Sequence, residues 1–167
     1  KSPNNQKPEY CYVIITRQED PQRHSEEYLL ERRPAEIVQV GGQMIQSPHQ
    51  NWYACFGGKR EAGETPDICI KREMKEELAW TPETKWALDL YEGHQLMASF
   101  FTTHLSDTNT KMNSEPLAAQ EVGRQAVWLS AEAIRDDPQI TTWTRAAIQA
   151  FQQGANIVRL RGDERQE

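Results

Sequence analysis

The stretch GKREAGETPDICIKREMKEELAW, residues 58–80, opens on a glycine turn and closes on a run of charge. Thr65 is a good N-cap residue, Pro66 suits the first helical position, Asp67 complements the first turn, and Pro82 bars continuation. The spacing therefore predicts a helix from 66 to about 78. At roughly 100° per residue, Glu73 and Glu76 lie about 60° apart and Glu73 and Glu77 about 40° apart, so three carboxylates share one sector. Ile70, Met74 and Leu78 recur at four-residue spacing as an apolar stripe beside them, and Lys71 and Lys75 fall on a third face. A merely solvated helix would interleave its lysines with its acids, which this one does not. Like charges this close repel and call for a cation, and hard oxygen donors suit Mg²⁺ or Mn²⁺ better than Zn²⁺.

Outward from that helix, 167 residues suffice for one core and hardly for two, so a single domain is expected over 10–160, with a flexible segment at 1–9 and a charged tail at 161–167. The formal net charge of −6 and the absence of a Lys/Arg block disfavour long nucleic acids, which are bound by releasing counterions from phosphates. Cys11, Cys55 and Cys69 form no C-x-x-C pair and are odd in number, which argues against a disulfide framework and for a reducing compartment, the cytoplasm. They read as small buried hydrophobes rather than nucleophiles. No apolar run approaches a membrane span, and no membrane partner is expected.

Runs rich in β-branched and aromatic residues predict strands at 10–16 and 27–33, which should pair, and at 51–56, 86–90, 95–104, 125–129 and 157–160. Residues 34–50 hold Gly41, Gly42, Ser47 and two prolines without a clean period and read as a long loop near a site. Ser130 caps a short helix through 135, and a last helix over 142–152 carries Trp143, Ala147 and Phe151 at four-residue spacing, with Gly154 to stop it. Strands on either side of a central helix, with another helix at the end, predict an α/β fold: a mixed sheet sandwiched by helices.

Gly57 and Gly58 allow a close backbone approach, so that a main-chain group can face a metal or a phosphate. Glu64 can pair with Arg72 and pin the loop against the acids, an interaction that orients more than it stabilises. These residues resemble the Nudix box, G-x5-E-x7-R-E-U-x-E-E-x-G-U with U aliphatic, over 23 positions and with every charged position present. Ala79 replaces the pattern's glycine and Trp80 its last aliphatic residue, which puts the helix exit in question.

The resemblance implies a Nudix-type α/β/α sandwich and hydrolysis of a nucleoside diphosphate linked to another moiety, with water attacking phosphorus and Mg²⁺ or Mn²⁺ as cofactor. It implies the Gly57 carbonyl, Glu73, Glu76 and Glu77 as metal ligands, with Arg72 and Glu64 supporting them. Glu121 is the counterpart of a further glutamate that, in similar enzymes, reaches the metal or the attacking water. Lys59, Arg33, Phe56 and Gly58 are the expected substrate contacts. Phe56-Gly57-Gly58-Lys59 is similar to the motif of oxidised purine nucleoside triphosphatases, and Asp136-Asp137 to their base-reading acids, though without the preceding Trp. ADP-ribose hydrolases of the superfamily usually carry a Pro about fifteen residues past the box, where this chain has Gln95. A nucleoside triphosphate, cleaved to monophosphate and pyrophosphate, is thus favoured over ADP-ribose, other nucleotide sugars or dinucleotides. A regulator that binds nucleotide without turnover, or a hydrolase acting on RNA ends, are the rival readings. The partner expected is a small nucleotide, and the chain a monomer or homodimer.

Overall fold

The structure, a computed structural model, describes residues 6–20, 25–33, 37–46, 51–105, 119 and 124–161. Its spine is β1, Tyr10–Asp20, whose side chains alternate: Cys11, Val13 and Ile15 pack to one side of the sheet and Tyr12 and Ile14 to the other. Along one edge β1 runs parallel to β8, Gln95–Leu105, from Tyr10↔Ala98 to Arg17↔Leu105. The other edge is divided. β2, Ser25–Arg32, pairs antiparallel with the distal half of β1, and β6, Phe56–Lys59, with its first residues, Tyr10↔Lys59 to Val13↔Phe56. β7, Lys85–Glu92, and β10, Ile157–Leu160, extend the sheet beyond β8, while β5, Tyr53–Ala54, and β9, Gln125–Ser130, flank β2. Parallel and antiparallel pairs make the sheet mixed.

Helix α1, Pro66–Leu78, covers one face through Cys69, Ile70, Met74 and Leu78, which meet Val13, Ile15, Leu29, Phe56 and Phe101. The short α2, Ala131–Asp136, and α3, Thr142–Gln152, cover the other face, with Ile134, Ala147 and Ile148 against Ile14, Leu30, Leu88 and Phe100. The architecture is the expected α/β/α sandwich, and the caps are those read from sequence: Thr65 Oγ1 accepts from the Ile68 amide at 3.3 Å and Ser130 Oγ from the Ala133 amide at 3.1 Å. Ala79 adopts the left-handed conformation, φ 51° and ψ 39°, and its amide donates to the Lys75 carbonyl, so the helix exits as it would at a glycine.

One expectation is corrected. Within the supposed loop 34–50 lies a hairpin of β3, Ile37–Val40, and β4, Gln43–Gln46, a sheet of its own. Gly41 and Gly42, both at positive φ, supply the two-residue turn that joins such strands, where the sequence alone suggests irregular chain. The strand expected over 51–56 is interrupted at Cys55 and resumes through both glycines to Lys59. The expected tail beyond Arg161 falls outside the described residues.

Candidate active site

Strand β6 lies against both β1 and helix α1, and its two glycines let it approach each, Gly57 toward β1 and Gly58 toward the helix. Gly57 has φ 142°, and a Cβ there would sit 2.1 Å from the Cys11 carbonyl oxygen. At Gly58 a Cβ would meet Glu73 Oε1 at 2.7 Å. The Gly57 amide donates to Glu77 Oε1 at 2.9 Å, so the strand's backbone faces the acids directly.

Arg72 braces the loop between strand and helix. Its Nε and Nη2 donate to the two oxygens of Glu64 at 2.7 and 2.9 Å, and Nη2 also donates to the Lys59 carbonyl at 3.1 Å. Glu64 receives the Glu61 amide as well, at 2.8 Å. The Arg72 guanidinium and that amide hold the Glu64 carboxyl down at about 2, so it stays ionised at any ordinary pH.

The three helix acids differ in setting although they share a sector. Side-chain exposure is 12% for Glu73, 56% for Glu76 and 5% for Glu77. Arg72 Nη1 draws Glu73 Oε1 at 3.0 Å and Glu76 Oε2 at 3.4 Å, while Glu77 turns inward to Gly57. Burial first, then the Glu31 and Glu73 carboxylates, push the Glu77 carboxyl up to about 9, against the pull of the Gly57 amide and Arg124.

Among the described residues no group of three or more His, Cys, Asp or Glu side chains is already arranged to hold a metal ion. The donors nevertheless fit a hard divalent ion in kind. The space a Cβ would fill at Gly58 adjoins a carboxylate, and Glu77 sits near the Glu31 and Glu73 carboxylates, a crowding of negative charge that a cation would relieve. The sequence brought the acids to one face, but it did not show Arg72 engaging two of them.

The other expected residues are dispersed. Lys59 is exposed beside the acids. Arg33 directly follows β2, half-buried, its amide on the Trp52 carbonyl at 3.0 Å and its Nε without a partner among the described residues. Phe56, expected at the substrate, is 1% exposed and packs beneath α1, because strand alternation turns it to the core once Gly57 lies against Tyr12. Asp136 pairs with Arg135, and Asp137 accepts the Gln139 amide at 2.8 Å, shaping the turn that brings Ile140 beside Tyr53. Glu121 lies outside the described residues.

Two charged groups passed over in the sequence adjoin the site. Glu31 of β2 pairs with Arg124, whose Nη1 is also 3.6 Å from Glu77 Oε2. The available signal was period: Glu31 falls two residues after Leu29, on the inward face of its strand.

A NUDIX domain profile matches residues 9–151. No curated protein is a significant match. Among solved structures the chain is similar to a MutT protein from Methanosarcina mazei Go1, at 17% identity and TM-score 0.58, covering 90% of this chain and 97% of that one. It is similar also to a Nudix hydrolase from M. smegmatis, RenU, at 15% identity and TM-score 0.56, covering 87% and 84%. A third is the NUDIX domain of Shewanella oneidensis NrtR, complexed with ADP ribose, at 11% identity and TM-score 0.53, covering 92% and 90%. At these identities the structures speak for the fold, and the profile, spanning most of the chain and the whole box, speaks for the family. The chain belongs to the NUDIX family and is a Nudix pyrophosphohydrolase, of a family whose hydrolases generally use a divalent metal and bind small nucleotides.

Proposed function

We propose that this enzyme cleaves a nucleoside triphosphate to the monophosphate and pyrophosphate with Mg²⁺, or Mn²⁺ in its place. The observation that carries the reading is the contact of the double-glycine strand with the acid face, Gly57 on Glu77 and Gly58 on Glu73. The Phe56-Gly57-Gly58-Lys59 spelling favours a triphosphate over the ADP-ribose seen with the Shewanella domain.

Glu73, Glu76, Glu77 and the Gly57 carbonyl would hold the divalent ion, which when bound neutralises phosphate charge and lowers the pKa of a water. Glu76 is the most accessible of the acids and is suited to take a proton from the attacking water, a role shared in prospect with Glu121. Arg72 and Glu64 hold the loop so that Gly58 and Lys59 meet the phosphates, with Arg33 a further phosphate contact from the end of β2. Phe56 serves from below, fixing the strand that presents the glycines. Three buried free thiols accord with a reducing, cytoplasmic setting, and no helix among the described residues is long and apolar enough to cross a membrane.

The test is a panel of nucleoside triphosphates, ADP-ribose and dinucleotides with Mg²⁺, reading pyrophosphate, phosphate and nucleotide products. Pyrophosphate with monophosphate is expected, and Glu76→Gln and chelator should each abolish turnover. Release of AMP and ribose phosphate from ADP-ribose, with triphosphates untouched, would overturn the substrate assignment. Turnover that survives both Glu76→Gln and chelation would overturn the site.

A further inference from the structure

Position 31 is an unusual place for an acid. On β2, Leu29 and Glu31 face α1, whereas Tyr28 and Leu30 face the opposite layer. The neighbouring β9 obeys the same alternation: Ala126 lies opposite Glu31, Ala126 and Trp128 pack toward α1, and Arg124 precedes Ala126 by two residues. An apolar residue at 31 would simply continue the stripe of Leu29. The chain instead buries a carboxylate to 1% exposure there and pairs it with Arg124. A buried charge is costly unless matched, so Arg124 is held where Glu31 is.

We propose that Glu31 is a positioning residue for the acid site, acting through Arg124 on Glu77. The inference rests on the role given to Glu77 under the proposed function. Arg124 Nη1 touches Glu31 on one side and stands 3.6 Å from Glu77 Oε2 on the other, while Glu77 Oε1 takes the Gly57 amide. Glu77 is thereby gripped at both oxygens and aimed at the glycine strand.

Glu31 has a second effect, of charge. An isolated guanidinium beside the acids would repel an incoming divalent ion, but paired with Glu31 it contributes no net charge and keeps only its directional contact. The pair orients a ligand without competing for its cation.

The test is binding of Mn²⁺ alone to the full chain, read by the electron paramagnetic resonance of free Mn²⁺, with folding followed by circular dichroism. Glu31→Gln preserves size and a hydrogen-bond acceptor for Arg124 but removes the charge, and it should weaken Mn²⁺ binding by about tenfold, the scale of losses at groups that orient metal ligands. Arg124→Gln, which removes the contact to Glu77 itself, should weaken binding at least as much, and Glu31→Gln added to it should weaken binding no further, because Glu31 acts only through Arg124. Unchanged Mn²⁺ affinity in folded Glu31→Gln, or losses that simply add in the double variant, would overturn the inference. If Glu31→Gln does not fold, Arg124→Gln decides: a clear loss of affinity sustains the proposal and native affinity defeats it. Glu77→Gln is the control for the underlying reading. If it binds Mn²⁺ like the native protein, the role of Glu77 fails and the inference with it; if only Glu77→Gln loses binding, the inference alone fails.

Discussion

A methyl group added at Gly57 would land 2.1 Å from the Cys11 carbonyl oxygen and 2.7 Å from the Tyr12 Cα, both backbone atoms of the central strand. The same group at Gly58 would meet only the end of the Glu73 side chain, which can swing away. Gly57→Ala should therefore cost roughly 3 kcal/mol or more by clash and strain, read by urea unfolding. Gly58→Ala should fold with nearly native stability yet lose activity, because Glu73 is displaced. Comparable destabilisation by both variants would contradict this geometry.

Glu77 invites a pH experiment at the same scale. In chelator its folded-state carboxyl titrates near 9, far above the ordinary carboxylate value, so the folded form binds a proton that the unfolded chain gives up. The fold is favoured at low pH, and this contribution is lost as pH rises from about 5 toward 9. Glu77→Gln should abolish activity yet raise the Tm of the metal-free protein at pH 8 by several degrees, and flatten the pH dependence that the native protein shows. A native Tm that climbs over that range in chelator would refute the assignment.

At the level of elements, α1 ends on a non-glycine residue in the left-handed region, a conformation that disfavours a Cβ. Ala79→Gly should stabilise the protein by about 0.5–1 kcal/mol in denaturant titration, relief of that strain outweighing the added freedom of the unfolded chain. The helices were legible because their signals are local: Thr65 and Ser130 as caps, Pro66 at the first position, Gly154 beyond the last turn. The β3–β4 hairpin was missed because a Gly-Gly pair marks loop and tight turn alike, and only the strands on either side distinguish them. The acid face and the Glu64–Arg72 brace could be read from spacing within one segment. Glu31 and Arg124 could not, since they stand 93 positions apart and meet only through strand pairing.

Across the whole molecule the three thiols are a probe of integrity. Cys11 of β1 and Cys69 of α1 meet in the layer between that helix and the sheet, and Cys55 lies on the opposite face of the sheet. Burial pushes the Cys55 thiol up to about 12, and a hydrogen bond with Cys69, then burial, raises that of Cys11. Folded protein at pH 8 should react negligibly with a disulfide reagent, and all three cysteines should modify together on unfolding. Rapid labelling of any thiol in the native state would mean that a layer opens independently.

The parallel pairing of β1 with β8 also bears on how the molecule is made. Contacts such as Thr16 with His104 join positions 88 apart, so the spine of the sheet cannot be completed until most of the domain has been synthesised. A ribosome that has just released the catalytic helix holds a nascent chain whose central strand lacks its parallel neighbour and the helices of the opposite layer, exposing Tyr12 and Ile14 to whatever chaperones stand at the exit tunnel. Slow translation between α1 and β8 should accordingly lower the yield of active enzyme more than the same delay placed after β8.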